Sequence, residues 1–297
     1  MDKRRARVRA CLVSAFTKAL LILTVLLCTI PRGAGETVSR EQPEGAARDQ
    51  VVEVTFLVNA GFLLRSGGSA VLIDAFVDEP NSVYGSLPPA VYQKMLAGDP
   101  PFGSIQLALV SHFHRDHFQP VAAGSFLSKH PETVLVSSPE VLQAVRDKYA
   151  EHDQIEDQLR EAWPEEADTV SLIHSGIRVE FIRLRHEGSG FYPAQSLAHI
   201  IHLGGKRFLH LGDAEMDSGQ YGPYDLRSRK IDVALVPYWF LQSESTGAFI
   251  EEHIAADKLI ATHFPPTPTQ PELIATVSGR FPDVIILETP MKSFEIR

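Results

Sequence analysis

The chain has 297 residues, 44% hydrophobic and 22% charged, with a formal net charge of −9. That length and mix support one large domain with a sizeable core, and exclude a disordered chain. Both cysteines, Cys11 and Cys28, lie within the first 35 residues, so a chain cleaved there keeps neither a disulfide nor a thiolate metal ligand.

The N-terminus reads as an export leader over residues 1–35. Lys3, Arg4, Arg5, Arg7 and Arg9 are basic, Ala19 to Ile30 is apolar, and Pro31 to Gly35 supplies small residues and a break. The apolar run is short for a spanning helix of about 20 residues. A periplasmic or extracellular protein is expected, with an uncleaved membrane anchor as the alternative. Removing 7 of 28 basic and 1 of 37 acidic residues with the leader leaves 21 and 36, a net of −15. Such an acidic surface repels polyanions and argues against nucleic acid as a partner. It leaves a small-molecule substrate as the expectation, and oligomeric state open.

Residues 36–50 are polar and read as a flexible linker. Strands are predicted at 51–58, 62–65 and 70–74, with turn signals between them. Residues 76–102 form a proline- and aromatic-rich insertion with a short helix near 90–96. The apolar run 105–110 predicts a buried strand. A helix is predicted at 118–130, with Pro120 in its first turn, and a strand at 133–136. Ser138 and Pro139 open a second helix as N-cap and first helical residue. The charged stretch 151–166 reads as a solvated helix or loop. Further strands are expected at 169–173, 177–184, 196–203, 206–211, 231–236, 258–262 and 283–287, and helices at 247–256 and 270–280. Strands in runs, then alternating with helices, suit two packed sheets with helices outside, an α/β (α+β) class.

The strand 105–110 leads into His112-Phe-His-Arg-Asp-His117. Three imidazoles and a carboxylate thus sit within a short stretch at a strand end. Neutral imidazole and ionised carboxylate suit Zn²⁺, Mn²⁺ or Fe²⁺. His112 and His114 can turn to one ion, Asp116 and His117 to a second.

This H-x-H-x-D-H run resembles the signature of the metallo-β-lactamase superfamily. The resemblance extends along residues 51 to 290. His186 follows the strand 177–184, Asp213 lies in His210-Leu-Gly-Asp213, and His263 lies in Leu259-Ile-Ala-Thr-His263. It implies a four-layered αβ/βα sandwich over 51–297. It implies one metal on His112, His114 and His186, and a second on Asp116, His117 and His263, with Asp213 bridging them. His199 and His202 compete with His186, but lie inside a predicted strand. Asp74, ending the strand 70–74, is expected to orient a ligand histidine from behind; capping a turn is its structural alternative.

The resemblance implies two divalent ions, Zn²⁺ foremost with Mn²⁺ or Fe²⁺ as alternatives, and a hydroxide bridging them. Water shared by two such ions has a pKa near about 7 and attacks an electrophilic carbon or phosphorus. Asp116 and Asp213 are the expected catalytic carboxylates. The expected reaction is hydrolysis of an ester-type bond: phosphodiester, lactone or a relative. The alternatives are a β-lactamase in the strict sense and an iron-dependent redox member of the same fold. A non-catalytic scaffold is a further class. Tyr238, Trp239 and Phe240, with Phe191 and Tyr192, are candidate pocket walls.

Overall fold

The computed structural model describes residues 50–297 apart from 82, 189 and 191–193. The leader, most of the linker, and Phe191 and Tyr192 lie outside the described residues. Among the described residues no helix is long and apolar enough to cross a membrane.

The chain first builds β1 (Val52–Val58), β2 (Gly61–Ser66) and β3 (Ser69–Ile73), an antiparallel meander. Helix α1 (Pro89–Ala97) follows in the insertion. Then β4 (Leu107–Leu109), β5 (Val134–Ser137) and β6 (Leu159–Glu161) add in parallel, connected through α2 (Pro120–Leu127) and α3 (Pro139–Lys148). The second sheet repeats this plan. β7 (Thr169–His174), β8 (Ile177–Arg183), β9 (Leu197–Leu203) and β10 (Lys206–His210) are antiparallel. A short α4 (Ser218–Tyr221) precedes β11 (Val233–Pro237). After it come α5 (Glu244–His253), β12 (Lys258–Thr262), α6 (Gln270–Arg280) and β13 (Ile285–Ile286), the three strands in parallel. Last, β14 (Ser293–Ile296) returns to the first sheet and pairs with β1. Among the described residues each sheet has seven strands, and β14 on β1 matches β7 on β8.

Side-chain alternation fixes the layers. Val71, Ile73, Leu107 and Leu109 join Val179, Phe181, Phe208 and Leu235 in a core between the sheets. Ala70, Leu72 and Ala108 point the other way, against Phe126, Leu127 and Val145 of the outer helices. Ile200, Leu209 and Val236 do the same against α5 and α6 in a third core. Successive strand residues face opposite sides, so a strand buried on both faces reads as an unbroken apolar run. Each fully buried Val, Leu or Phe stabilises by about 1.5–3 kcal/mol. The expected four-layered αβ/βα sandwich is what the chain forms.

Several element limits differ from the sequence reading. Helix α2 stops at Leu127 and begins at Pro120, because Gln119 is extended and its side chain bonds to the backbone of Glu79 and Arg115. Helix α5 begins earlier than expected, at Glu244, because Ser243 and Thr246 form a capping box. The charged stretch 151–166 contains two 3₁₀ turns and then β6, an edge strand. Only Leu159 of β6 is buried, and the charged Arg160 and Glu161 keep the sheet edge solvated.

Candidate metal centre

All of the metal-binding candidates collect at one edge, between the sheets. From the first sheet, β4 ends at Leu109 and the chain turns back on itself. His114 O accepts from the N–H of His117 at 3.0 Å and of Phe118 at 2.9 Å. That turn aims His112, His114, Asp116 and His117 into one space. From the second sheet, three separate strand ends reach the same space. The loop after β8 carries His186 and the loop after β10 carries Asp213. These loops are zipped together: Glu187 N donates to Asp213 O at 2.7 Å, and Glu215 N donates to Arg185 O at 2.8 Å. His263 follows β12 in the left-handed region, φ 64°, and its N–H donates to Asn59 O at 3.4 Å.

The donors form two groups, each with its donor atoms within 4.8 Å of one another. One is His112, His114 and His186; the other is Asp116, His117, Asp213 and His263. In the first, His114 Nδ1 and His186 Nε2 are 3.1 Å apart. In the second, His263 Nε2 lies 3.1 Å from both Asp116 Oδ2 and His117 Nε2. Asp213 reaches both: Oδ2 is 3.0 Å from His263 Nε2 and 3.5 Å from His186 Nε2, and Oδ1 is 3.2 Å from His117 Nε2. His199 and His202 stay away. His199 is buried inside the sheet, and His202 Nε2 bonds Glu180 Oε1 at 2.8 Å. It is therefore His186 that joins the group, because it lies beyond its strand end rather than within one.

These residues fit metal ions on three counts. Lone pairs 3.0–3.5 Å apart match the edge of a tetrahedron with bonds of about 2.0–2.1 Å, which is about 3.3 Å. Among the described residues His112 Nε2 and Asp213 Oδ1 are buried with no hydrogen-bond partner, a costly state for polar atoms unless a ligand takes them. The electrostatics also call for positive charge. Burial pushes the Asp213 carboxyl up, but His117 and His263 outweigh it and hold it well below the usual range. Burial likewise pushes Asp116 up, and His117 and His263 pull it down overall. Burial lowers the His117 imidazole, and Asp213 and Asp116 outweigh that and hold it well above its ordinary value. The His112 and His114 imidazoles are pushed down by burial and neighbouring histidines, His114 to about 4, so their lone pairs are free near neutral pH.

Behind the donors sits Asp74. It is buried, with φ 43°, at the end of β3. Its Oδ2 lies 2.8 Å from His117 Nδ1 and accepts from Ser111 Oγ at 2.6 Å, while Oδ1 accepts from Ser111 N at 2.7 Å. Ser111 Oγ is 2.9 Å from His112 Nδ1. One carboxylate thereby orients two ring planes, directly and through a hydroxyl. Burial pushes Asp74 up, and the contacts with His117, His210 and Ser111 bring it below its ordinary range. Gly212, just before Asp213, has φ 55°, and a Cβ there would lie 2.7 Å from Ser111 Cβ. Only glycine lets the two donor loops approach that closely.

Four neighbours of the centre were not singled out in the sequence as site residues: Asn59, Tyr84, Ser111 and His210. Asn59 Nδ2 donates to Asp116 Oδ2 at 3.0 Å and to Asp116 O at 3.3 Å. Tyr84, in the insertion, sets its ring edge-on to His263 with centroids 4.5 Å apart. His210 Nε2 lies 3.0 Å from Ala60 O and 3.9 Å from Asp74 Oδ2. The residue before the histidine run and the Asn59-Ala-Gly61 turn were the available signals. Trp239 packs on His263 at 5.2 Å, and Tyr238 stacks on Phe264 at 5.6 Å. Phe240, by contrast, is fully buried in the outer core and is no pocket wall.

A family model, the β-lactamase superfamily domain, matches residues 69–272. The chain belongs to the metallo-β-lactamase superfamily. Solved structures agree on the fold. The metallo-β-lactamase fold protein YhfI of Bacillus subtilis aligns with TM-score 0.57 at 16% identity, covering 83% of this chain and 99% of that one. Igni18, a metallo hydrolase of the archaeon Ignicoccus hospitalis, gives 0.56 at 14%, with 83% and 99% covered. The diiron β-hydroxylase CmlA of Streptomyces venezuelae gives 0.50 at 13%, with 84% and 54% covered. A search of curated proteins returned no match.

Proposed function

We propose that this superfamily member is a binuclear hydrolase of ester-type bonds, a phosphodiester, a lactone or a relative, acting outside the cytoplasm. The observation that supports it is the reach of Asp213, whose carboxylate borders both donor groups. His112, His114 and His186 would hold one ion, and Asp116, His117 and His263 the other, with Asp213 shared. An all-imidazole and carboxylate set without sulfur suits Zn²⁺ best, with Mn²⁺ or Fe²⁺ next. When bound, such ions supply Lewis acidity toward a carbonyl or phosphoryl oxygen and acidify water.

The chain's own residues do the rest. Asp74 and Ser111 hold the His117 and His112 rings against rotation. Asn59 holds the Asp116 carboxylate, which stays ionised near neutral pH and can take a proton released during attack. Burial, with Asp213 and Asp116 nearby, keeps the Tyr84 phenol protonated, so it can donate to a substrate oxygen. Tyr84 and Trp239 also exclude water from one side of His263.

The deciding experiment measures metal content and turnover together on purified protein. The panel is bis(p-nitrophenyl) phosphate, an acyl lactone and a chromogenic β-lactam, each before and after chelation. Two equivalents of metal with chelator-sensitive turnover of one ester class is the expected result. Turnover of the β-lactam alone, or bound iron, at one or two equivalents, with no hydrolysis, would replace this reading with one of its two alternatives. The iron reading draws on the fold shared with a diiron hydroxylase.

A further inference from the structure

A cavity of about 150 Å³ opens beside the metal donors, where β1 of the first sheet meets the end of β12 in the second. Its walls are mostly apolar: Phe56, Val58, Phe264 and Leu287. Two lining residues also touch the donors. Asn59 bonds Asp116, and Tyr84 stands against the His263 ring. The cavity therefore borders the centre, and Tyr84 and Asn59 are the wall the two share.

Size and chemistry narrow the occupant. Whole-ligand pockets run to about 300–1,000 Å³, so this one holds part of a molecule. A cavity of about 150 Å³ with apolar walls takes a benzene-sized group. The exposed Glu288 carboxylate at its edge disfavours an anion there. We infer that this cavity is a substrate subsite for an uncharged hydrocarbon group, a phenyl ring or an acyl chain of about six carbons. The group is carried on one side of the scissile bond while that bond lies over the donors. This rests on the hydrolase reading above and names the side group its substrate carries.

Gly85 offers the test. It lines the cavity, has no left-handed backbone requirement, and a Cβ there meets nothing within 4 Å among the described residues. Gly85→Leu should fill the cavity without disturbing the donors. Two measurements are combined. The first is ¹⁹F line broadening of fluorobenzene on metal-free full-length protein, wild type and Gly85→Leu. The second is kcat/KM of the metal-loaded protein for p-nitrophenyl acetate, butanoate, hexanoate and decanoate. For wild type, we expect fluorobenzene broadening and kcat/KM rising by up to roughly fourfold per buried methylene, levelling off beyond hexanoate. In Gly85→Leu the broadening should vanish. KM for hexanoate should rise at least tenfold, with acetate changed less than twofold. Equal broadening in both proteins, or losses independent of chain length, overturns the subsite. Fluorobenzene binding with neither these esters nor bis(p-nitrophenyl) phosphate nor the acyl lactone turned over in either protein rejects the hydrolase reading instead, and with it the assignment to a substrate. If Gly85→Leu fails to fold, Ser86→Phe at the same rim replaces it, with the same outcomes required.

Discussion

The two halves of the sandwich share one strand plan but furnish the candidate metal centre in opposite ways. In the first, a single turn after β4 delivers His112, His114, Asp116 and His117 from six consecutive residues. In the second, His186, Asp213 and His263 arrive one at a time from the ends of β8, β10 and β12. The first contribution is fixed by local backbone hydrogen bonds. The second depends on three loops being held in register by the sheet beneath them. Local sequence can thus encode half a site, while the other half needs the whole fold.

The sharpest way to break that contrast is Asp213→Ala. This residue borders both donor groups, so both should lose metal, with activity falling by more than about 100-fold, beyond the usual cost of a supporting residue. Circular dichroism unchanged alongside metal analysis would show that the fold survives. Full activity would sink the assignment. Next come His114→Ala and His186→Ala, one from each half and both in the same group. Each should lower bound metal by about one equivalent and leave the other group loaded. If only the first-half variant lost metal, His186 would not be a ligand.

Asp74→Asn keeps the shape but weakens the hold on His117 and Ser111. A drop of about 10–100-fold in metal affinity is expected by competition with a chelating dye. Asn59→Gly tolerates the φ of 46° while removing the amide that holds Asp116. It should lower kcat about tenfold and leave bound metal unchanged; an unchanged kcat would make Asn59 a turn residue only. Gly212→Ala is the mildest change on paper. The left-handed backbone alone costs about 1–2 kcal/mol, and the overlap with Ser111 adds to it. A melting temperature lower by several degrees is expected.

Much of this was legible beforehand because the signals are local. The run at 112–117, the small residues before Asp213, and apolar strands ending at each candidate placed all seven donors near strand ends. His186 was separable from His199 and His202 by the loop signal after it. What escaped was what no short window contains. Ser111 and His210 matter only because Asp74 lies between them across two sheets. Asn59 reads as a turn residue, which it is, and its amide meets Asp116, 57 positions further along, only after the chain between them has folded. Tyr84 belongs to an insertion without periodicity, so nothing in its neighbourhood announces its contact with His263. The edge strands β6 and β14 were missed because sheet edges are polar and short, and so resemble loops.

The contact between Gly212 and Ser111 gives the centre a mechanical stop. The gap between the donor loops is set by the Gly212 backbone lying against the Ser111 side chain, and not by the rotamers of the donors themselves. A histidine could be exchanged for a carboxylate on either side without changing that gap. One frame can therefore be refitted with different donors and accept different ions at the same spacing, so metal preference can drift while the reach of the site stays fixed.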